Sequence, residues 1–113
     1  MGPVGRRQIL EDAVLSAVVQ RLVEAYKPLR VYLFGSHARG EAGPDSDYDI
    51  LLVVPDESPP ENKQSRLAYQ VLWDVGTAAD VLVMTRKYFE DRLHLRASLP
   101  GTVVTEGKLL YAA

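Results

Sequence analysis

The chain has 113 residues, of which 47% are hydrophobic and 25% are charged, and this size and composition predict one soluble domain over residues 1–113. Its 13 basic and 15 acidic residues give a net charge of −2, which argues against nucleic acid as a direct partner. The absence of cysteine excludes disulfides and thiolate metal sites and fits an intracellular protein.

The N-terminal segment predicts an amphipathic helix. Apolar residues recur at three- and four-residue steps from about Gln8 to Tyr26, and Pro28 ends the pattern. Residues 1–7 are expected to be flexible, and the start of the chain lacks the apolar core of a signal peptide. Because no apolar run approaches membrane-spanning length, we expect a cytoplasmic protein with no membrane partner.

Two apolar runs in the middle of the chain predict buried strands. Val31–Phe34 is short, β-branched and aromatic, and it stops at Gly35. Ser36–Arg39 then predicts one helical turn, and Gly40–Ser46 predicts a loop. Tyr48–Val54 is apolar at almost every position, which is the pattern of a central strand covered on both faces.

The next segment predicts a helix and a third strand. Pro60 is well placed to begin a helix. Its buried face is expected to use Leu67, Val71, Leu72 and Val75. Ala79–Met84 predicts a third buried strand, again dense in apolar and β-branched residues.

The C-terminal segment predicts a helix and a small terminal element. Thr85 is an expected N-cap for a helix over Arg86–Leu99, which the Pro100-Gly101 pair would end. Val103–Val104 and Leu109–Tyr111 predict a terminal strand or hairpin. The order of elements predicts an α/β (α+β) fold in which helices pack on a small sheet.

Acidic residues stand at the entrances of two predicted strands. Because side chains alternate along a strand, Asp47 and Asp49 are expected to point to the same side, about 6.5 to 7 Å apart along the backbone. Two carboxylates so placed repel one another unless a cation lies between them, and Mg²⁺ is the natural candidate. Asp80 stands at the start of the third strand. If these strands are neighbours, the three carboxylates can hold two cations for in-line attack on phosphorus.

Gly35 and Ser36 supply features of a phosphate site. Glycine lets the backbone approach a phosphate, and a serine that opens a helical turn offers its hydroxyl and the free N–H groups of that turn. The segment is not a P-loop, because no Gly-Lys-Ser/Thr follows. Arg39 is a candidate for a bidentate phosphate contact, and bracing of the loop is an equal alternative.

These motifs carry a family resemblance. The chain resembles the polymerase-β-type nucleotidyltransferases, and within them the minimal MntA-type antitoxins of HEPN-domain toxins. The residues that carry it are Gly35-Ser36-x-Ala38-Arg39-Gly40, Ser46-Asp47-x-Asp49-Ile50 and Asp80. The resemblance implies a mixed sheet, ATP as substrate with Mg²⁺, and AMPylation of a tyrosine hydroxyl on a HEPN partner in a hetero-oligomer. It also implies metal ligation by Asp47, Asp49 and Asp80, and phosphate binding by Gly35 and Ser36.

Plainer interpretations stand beside each residue. An isolated Asp-x-Asp is often solvated charge, and Asp80 could cap a helix or pair with a basic side chain. Trp73 and the tyrosines are expected in the core or on a partner surface, because no positive stripe accompanies them. Asp45 and Ser46 are expected to organise the turn before the strand. His37 and His94 are given no role.

Two other functions compete with protein AMPylation. One is a non-catalytic antitoxin that neutralises a HEPN partner by complex formation. The other is a nucleotidyltransferase that acts on a small molecule. Larger relatives resemble this core plus an acceptor-binding domain, and the 113 residues leave no room for one. We therefore expect a partner protein to supply the acceptor.

Overall fold

The computed structural model describes residues 6–43 and 46–113, with side chains from Ala13 onward. Its helices are α1 (Arg6–Tyr26), α2 (Gly35–Arg39), α3 (Arg66–Leu72), α4 (Arg86–Arg92) and α5 (Leu99–Glu106), and its strands are β1 (Arg30–Phe34), β2 (Tyr48–Val54), β3 (Ala79–Thr85) and β4 (Lys108–Ala112). A 3₁₀ turn at Pro60–Lys63 precedes α3. The expected flexible segment 1–7 lies outside the described residues except at positions 6 and 7, where α1 begins.

The four strands form one mixed sheet in the order β3-β2-β1-β4. β1 pairs antiparallel with both β2 and β4, whereas β2 and β3 run parallel. Every residue of β2 except Asp49 is buried, as its nearly continuous apolar sequence predicted. The mixed sheet with packed helices confirms the predicted fold class.

The two faces of the sheet carry separate cores because side chains alternate along β2. Ile50, Leu52 and Val54 pack toward α1 and α3, together with Val18 and Leu22 of α1. Leu51 and Val53 point the other way. They pack with Tyr32, Phe89 of α4 and Val103 of α5. Each face of the sheet is therefore covered by one pair of helices.

The C-terminal prediction was wrong in two respects. The helix expected over Arg86–Leu99 ends at Arg92, and Pro100 and Gly101 lie inside the first turn of a separate helix, α5, instead of ending a helix. Proline is compatible with a first helical turn because the N–H it lacks has no intrahelical partner there. No hairpin forms at Val103–Val104, which belongs to α5, and the terminal strand β4 pairs with β1 at the sheet edge.

The α3 prediction was correct in its buried face and wrong in its start. Leu72 and Ala68 are buried and Leu67, Val71 and Val75 pack partly buried against the same core. The α-helix begins at Arg66, and the segment that follows Pro60 forms only the 3₁₀ turn. Within the described residues, no helix is both long enough and apolar enough to cross a membrane.

Candidate active site

Three strand ends meet at one edge of the sheet. Phe34 lies opposite Asp49 in the antiparallel pair of β1 and β2. Asp49 lies beside Asp80 in the parallel pair of β2 and β3. The exit of β1 and the entrances of β2 and β3 therefore coincide, as the sequence analysis required. Asp47 is two residues before Asp49, just outside the start of β2. The fold thus brings the three predicted acids to a common edge, beside Gly35 and Ser36.

Gly35 is in close contact with the carboxylate of Asp49. Its φ is +73°, in the left-handed region that favours glycine. A Cβ atom at this position would overlap Oδ2 of Asp49. The sequence suggested that this glycine admits a phosphate, and the structure adds that it admits the aspartate side chain of the neighbouring strand.

The electrostatics of Asp49 reflect an accumulation of negative charge. Burial raises the pKa of Asp49, and the carboxylates of Asp80 and Asp47 raise it further. His37 and Arg39 act in the opposite direction. Among the described residues, none of the three acids forms an ion pair. The plain interpretation in which Asp80 pairs with a basic side chain is therefore wrong for the described part of the chain.

The three carboxylates fit a divalent cation in their chemistry. All their donor atoms are oxygen, the ligand type that Mg²⁺ prefers. A cation would relieve the repulsion that adds to burial in raising the pKa of Asp49. In the structure their side chains do not converge, since no group of three His, Cys, Asp or Glu among the described side chains could hold a metal as placed. Asp80 instead accepts a hydrogen bond from the Tyr69 hydroxyl at 3.3 Å.

The helical turn α2 lies next to these acids. No side chain at its N-cap position, Phe34, accepts from its first-turn N–H groups, which leaves them suited to an anion. Arg39 forms an exposed ion pair with Glu41, with 2.7 Å between Nε and Oε1. Of the two alternatives for Arg39, the structure shows the brace within the loop, and its phosphate contact stays a prediction.

His37 has a positioning role that the sequence analysis missed. Its ring stacks on Tyr48 with centroids 4.2 Å apart, and Nε2 lies 3.0 Å from the carbonyl oxygen of Ser46. Because a carbonyl can only accept, this bond places the ring proton on Nε2. His37 thereby joins α2 to the entrance of β2. No sequence pattern indicated this, because the contact depends on the pairing of β1 with β2.

The turn that leads into β2 is held by Ser46, as predicted. The Gly43 N–H donates to Oγ of Ser46 at 2.9 Å, and the Ser46 N–H donates to the Gly43 carbonyl at 3.2 Å. The corresponding prediction for Asp45 lies outside the described residues.

A groove opens beside Asp47 and Asp80. It has a volume of about 750 Å³, and Tyr69 and Trp73 form one wall. Trp73 is 87% exposed and Tyr69 is 49% exposed. This exposure shows that Trp73 lies outside the core, at the C-terminal end of α3, and its alternative place on a partner surface stays a prediction.

Comparison with known proteins places this arrangement in a family. A family model described as "Nucleotidyltransferase domain" matches residues 15–107. A bifunctional uridylyltransferase/uridylyl-removing enzyme of Psychrobacter sp. (strain PRwf-1) is 31% identical over 110 residues. That match covers 89% of this chain and only 12% of the longer relative.

Solved structures share the fold. A nucleotidyltransferase structure from Sulfolobus solfataricus superposes with a TM-score of 0.63 at 23% identity, covering 99% of this chain and 92% of the other. A toxin–antitoxin structure with AMP-PNP gives a TM-score of 0.61 at 24% identity, covering 87% and 73%. A tri-AMPylated Shewanella oneidensis HEPN toxin in complex with an MNT antitoxin gives 0.50 at 22% identity, covering 94% and 72%. At these identities the likeness concerns the fold.

Proposed function

The chain belongs to the nucleotidyltransferase domain family, and from this premise we propose that it transfers AMP from ATP to a tyrosine hydroxyl of a HEPN-domain toxin, acting as the antitoxin. The observation that carries the proposal is the meeting of Asp47, Asp49 and Asp80 at one sheet edge beside Gly35 and Ser36. The structures of a toxin–antitoxin with AMP-PNP and of an AMPylated HEPN toxin support the choice of nucleotide and partner.

Each part of the site has a role in the proposed reaction. The N–H groups of α2 and the Ser36 hydroxyl hold the phosphates, and Arg39 leaves Glu41 to join them. Asp47, Asp49 and Asp80 would hold Mg²⁺. When bound, Mg²⁺ neutralises charge on the phosphate oxygens and on the departing pyrophosphate. The cytoplasm and a hetero-oligomer with the toxin are part of the same proposal.

The proposed transfer balances without a further reactant. The acceptor oxygen forms a bond to the α-phosphorus, and the bond from that phosphorus to the bridging oxygen breaks. Pyrophosphate leaves with the bonding electron pair. The hydroxyl proton passes to the carboxylate of Asp80. Of the three acids, this one lies on the edge strand β3, and it already accepts a hydrogen bond from the Tyr69 hydroxyl.

The test follows the label from ATP labelled at the α-phosphate. The purified chain is incubated with Mg²⁺ and a HEPN-domain protein, and we expect label on the HEPN protein. Asp47→Asn and Asp49→Asn should each reduce the transfer at least about 100-fold, because each removes a carboxylate that would hold Mg²⁺ at the site. Asp91→Asn is the matched control, since this exposed acid lies on α4.

The result also separates the competing functions. If the chain neutralises the toxin without transferring label, and Asp49→Asn neutralises it equally well, the chain is a non-catalytic antitoxin and not an enzyme. If label appears on a small hydroxylated acceptor and not on the HEPN protein, the nucleotidyltransferase activity is confirmed and the proposed protein acceptor is wrong.

A further inference from the structure

The groove beside the acids is bordered by two exposed aromatic rings. Tyr69 and Trp73 are one helical turn apart at the end of α3, so their side chains lie on the same side of the helix. A second opening of about 620 Å³, lined by Arg66 and Gln70, lies on the other side of the same two rings. We call this pair, Tyr69 and Trp73, the aromatic ridge.

The direction of the reaction assigns the groove to one reactant. The phosphate-binding turn follows β1, Asp49 lies on β2 in the middle, and Asp80 lies on the edge strand β3. In phosphoryl transfer the attacking and leaving oxygens lie roughly in line on opposite sides of the phosphorus. If pyrophosphate leaves over Gly35 and Ser36, the acceptor arrives over Asp80. The groove opens on that side.

The residues of the groove indicate the chemistry of the acceptor. A tryptophan that is 87% exposed beside a half-exposed tyrosine is the residue composition of an interface hot spot. Among the described residues, Asp47 and Asp80 line the groove and no basic residue does, so its side chains offer an acidic group no partner. These observations favour a neutral or basic protein segment with an apolar side chain next to the acceptor hydroxyl over a small polar acceptor.

We propose that the aromatic ridge and the groove beside it bind the acceptor-bearing segment of the partner protein and direct its hydroxyl toward Asp80. This inference rests on the proposed function, because the in-line argument needs the phosphates at α2. It extends that function by separating two subsites on the sheet edge. The nucleotide lies over β1 and β2, and the protein acceptor lies over β3 and α3.

Trp73 provides a direct probe, because it is the single tryptophan of the chain. We expect its fluorescence to change on titration with the HEPN protein and to stay constant on titration with ATP and Mg²⁺ alone. In the transfer assay, Trp73→Ala should raise the KM for the HEPN protein at least about tenfold and leave the KM for ATP unchanged. The high exposure of Trp73 makes a folding defect in this variant unexpected.

The matched control is Leu109→Ala, which truncates a half-exposed apolar side chain on β4 at the opposite edge of the sheet. This control should leave both KM values unchanged. A fluorescence change with ATP and Mg²⁺ alone, with an increased KM for ATP in Trp73→Ala, would assign the ridge to the nucleobase and overturn the proposal. Trp73 fluorescence that changes neither with the HEPN protein nor with ATP and Mg²⁺ would also overturn the proposal.

The two proposals can fail separately. If no variant and no wild-type protein transfers label, the AMPylation proposal fails, and the tryptophan titration with the HEPN protein still decides whether the ridge is the docking surface. If transfer occurs normally in Trp73→Ala and Tyr69→Ala, the ridge has no role in acceptor binding although the enzyme is confirmed.

Discussion

Gly35 is required both by its backbone conformation and by the acid that it contacts. Its φ of +73° is unfavourable for other residues, and the space that a Cβ would need is occupied by Asp49. Glycine is therefore needed at this position to make room for the Asp49 carboxylate as well as for a phosphate. The sequence indicated a glycine between strand and helix, and only the β1–β2 register showed which side chain it faces.

Gly35→Ala should destabilise the protein by about 2–4 kcal/mol, since it adds backbone strain to a clash that Asp49 must move to relieve. We also expect nucleotide transfer to fall to background. Gly40→Ala is the matched control, because Gly40 has the same φ of +73° and open space where a Cβ would go. It should cost about 1–2 kcal/mol and retain transfer.

Urea unfolding with parallel transfer assays checks this pair of variants. Equal losses of stability in Gly35→Ala and Gly40→Ala would show that backbone strain alone explains the glycine. In that case the contact with Asp49 would have no role in selecting it.

At the scale of elements, α3 depends on a hydroxyl from another helix. Ser65 at its N-cap makes no side-chain capping bond. The buried Tyr26 at the end of α1 takes its place, because its hydroxyl accepts from the Ala68 N–H at 2.9 Å and donates to the Gln64 carbonyl at 2.5 Å. A capping group 42 residues away has no signature in a sequence window.

Tyr26→Phe should reduce the free energy of unfolding by about 1–3 kcal/mol, because it leaves the buried N–H of Ala68 without this acceptor. Chemical denaturation measures the change. Tyr88→Phe on the half-exposed face of α4 keeps the ring beneath the Arg92 guanidinium and should alter stability by less than about 0.5 kcal/mol. Equal effects of the two substitutions would contradict the capping role of Tyr26.

The junction of α4 and α5 depends on Ser98, which explains why the Pro100-Gly101 pair begins a helix. Its Oγ accepts from the Gly101 N–H at 3.1 Å and donates toward the carbonyls of Arg92 and Leu95. Ser98→Ala should cost about 1–2 kcal/mol, the usual value for loss of an N-cap. Thermal melts measure this loss, and Thr102→Ala, which removes only an exposed hydroxyl contact at 3.5 Å, should cost clearly less in the same melts.

At the scale of the whole molecule, the sequence predicted the strands that carry the three acids better than it predicted the C-terminal half of the fold. The apolar runs located β1, β2 and β3. Strand order is a long-range property, so the placement of β4 against β1 and the contact of Tyr69 with Asp80 were beyond local patterns. For the same reason the exposure of Trp73 was not predicted.

Three acids on one sheet edge also influence the stability of the molecule. The pKa of Asp49 is raised in the folded chain by burial and by Asp80 and Asp47, so the folded state binds this proton more tightly than the unfolded state does. The charged form therefore opposes folding once the pH rises above the folded pKa. Below about pH 4, the ordinary range of an aspartate, both states are protonated and this contribution vanishes.

Asp49→Asn should accordingly stabilise the metal-free protein at neutral pH by a few tenths of a kcal/mol, a small value because solvent screens this partly exposed site. The gain should disappear as the pH falls through the titration of Asp49. Thermal melts in a chelator across this range measure it, with Asp91→Asn as the surface control. Millimolar Mg²⁺ should raise the melting temperature of the wild type and not of Asp49→Asn, because only a ligand that binds the folded site stabilises it. If Asp49→Asn is less stable than the wild type at neutral pH in the chelator, the Asp49 carboxylate stabilises the fold. The idea that the acids destabilise the metal-free fold and are present to bind a cation would then be wrong.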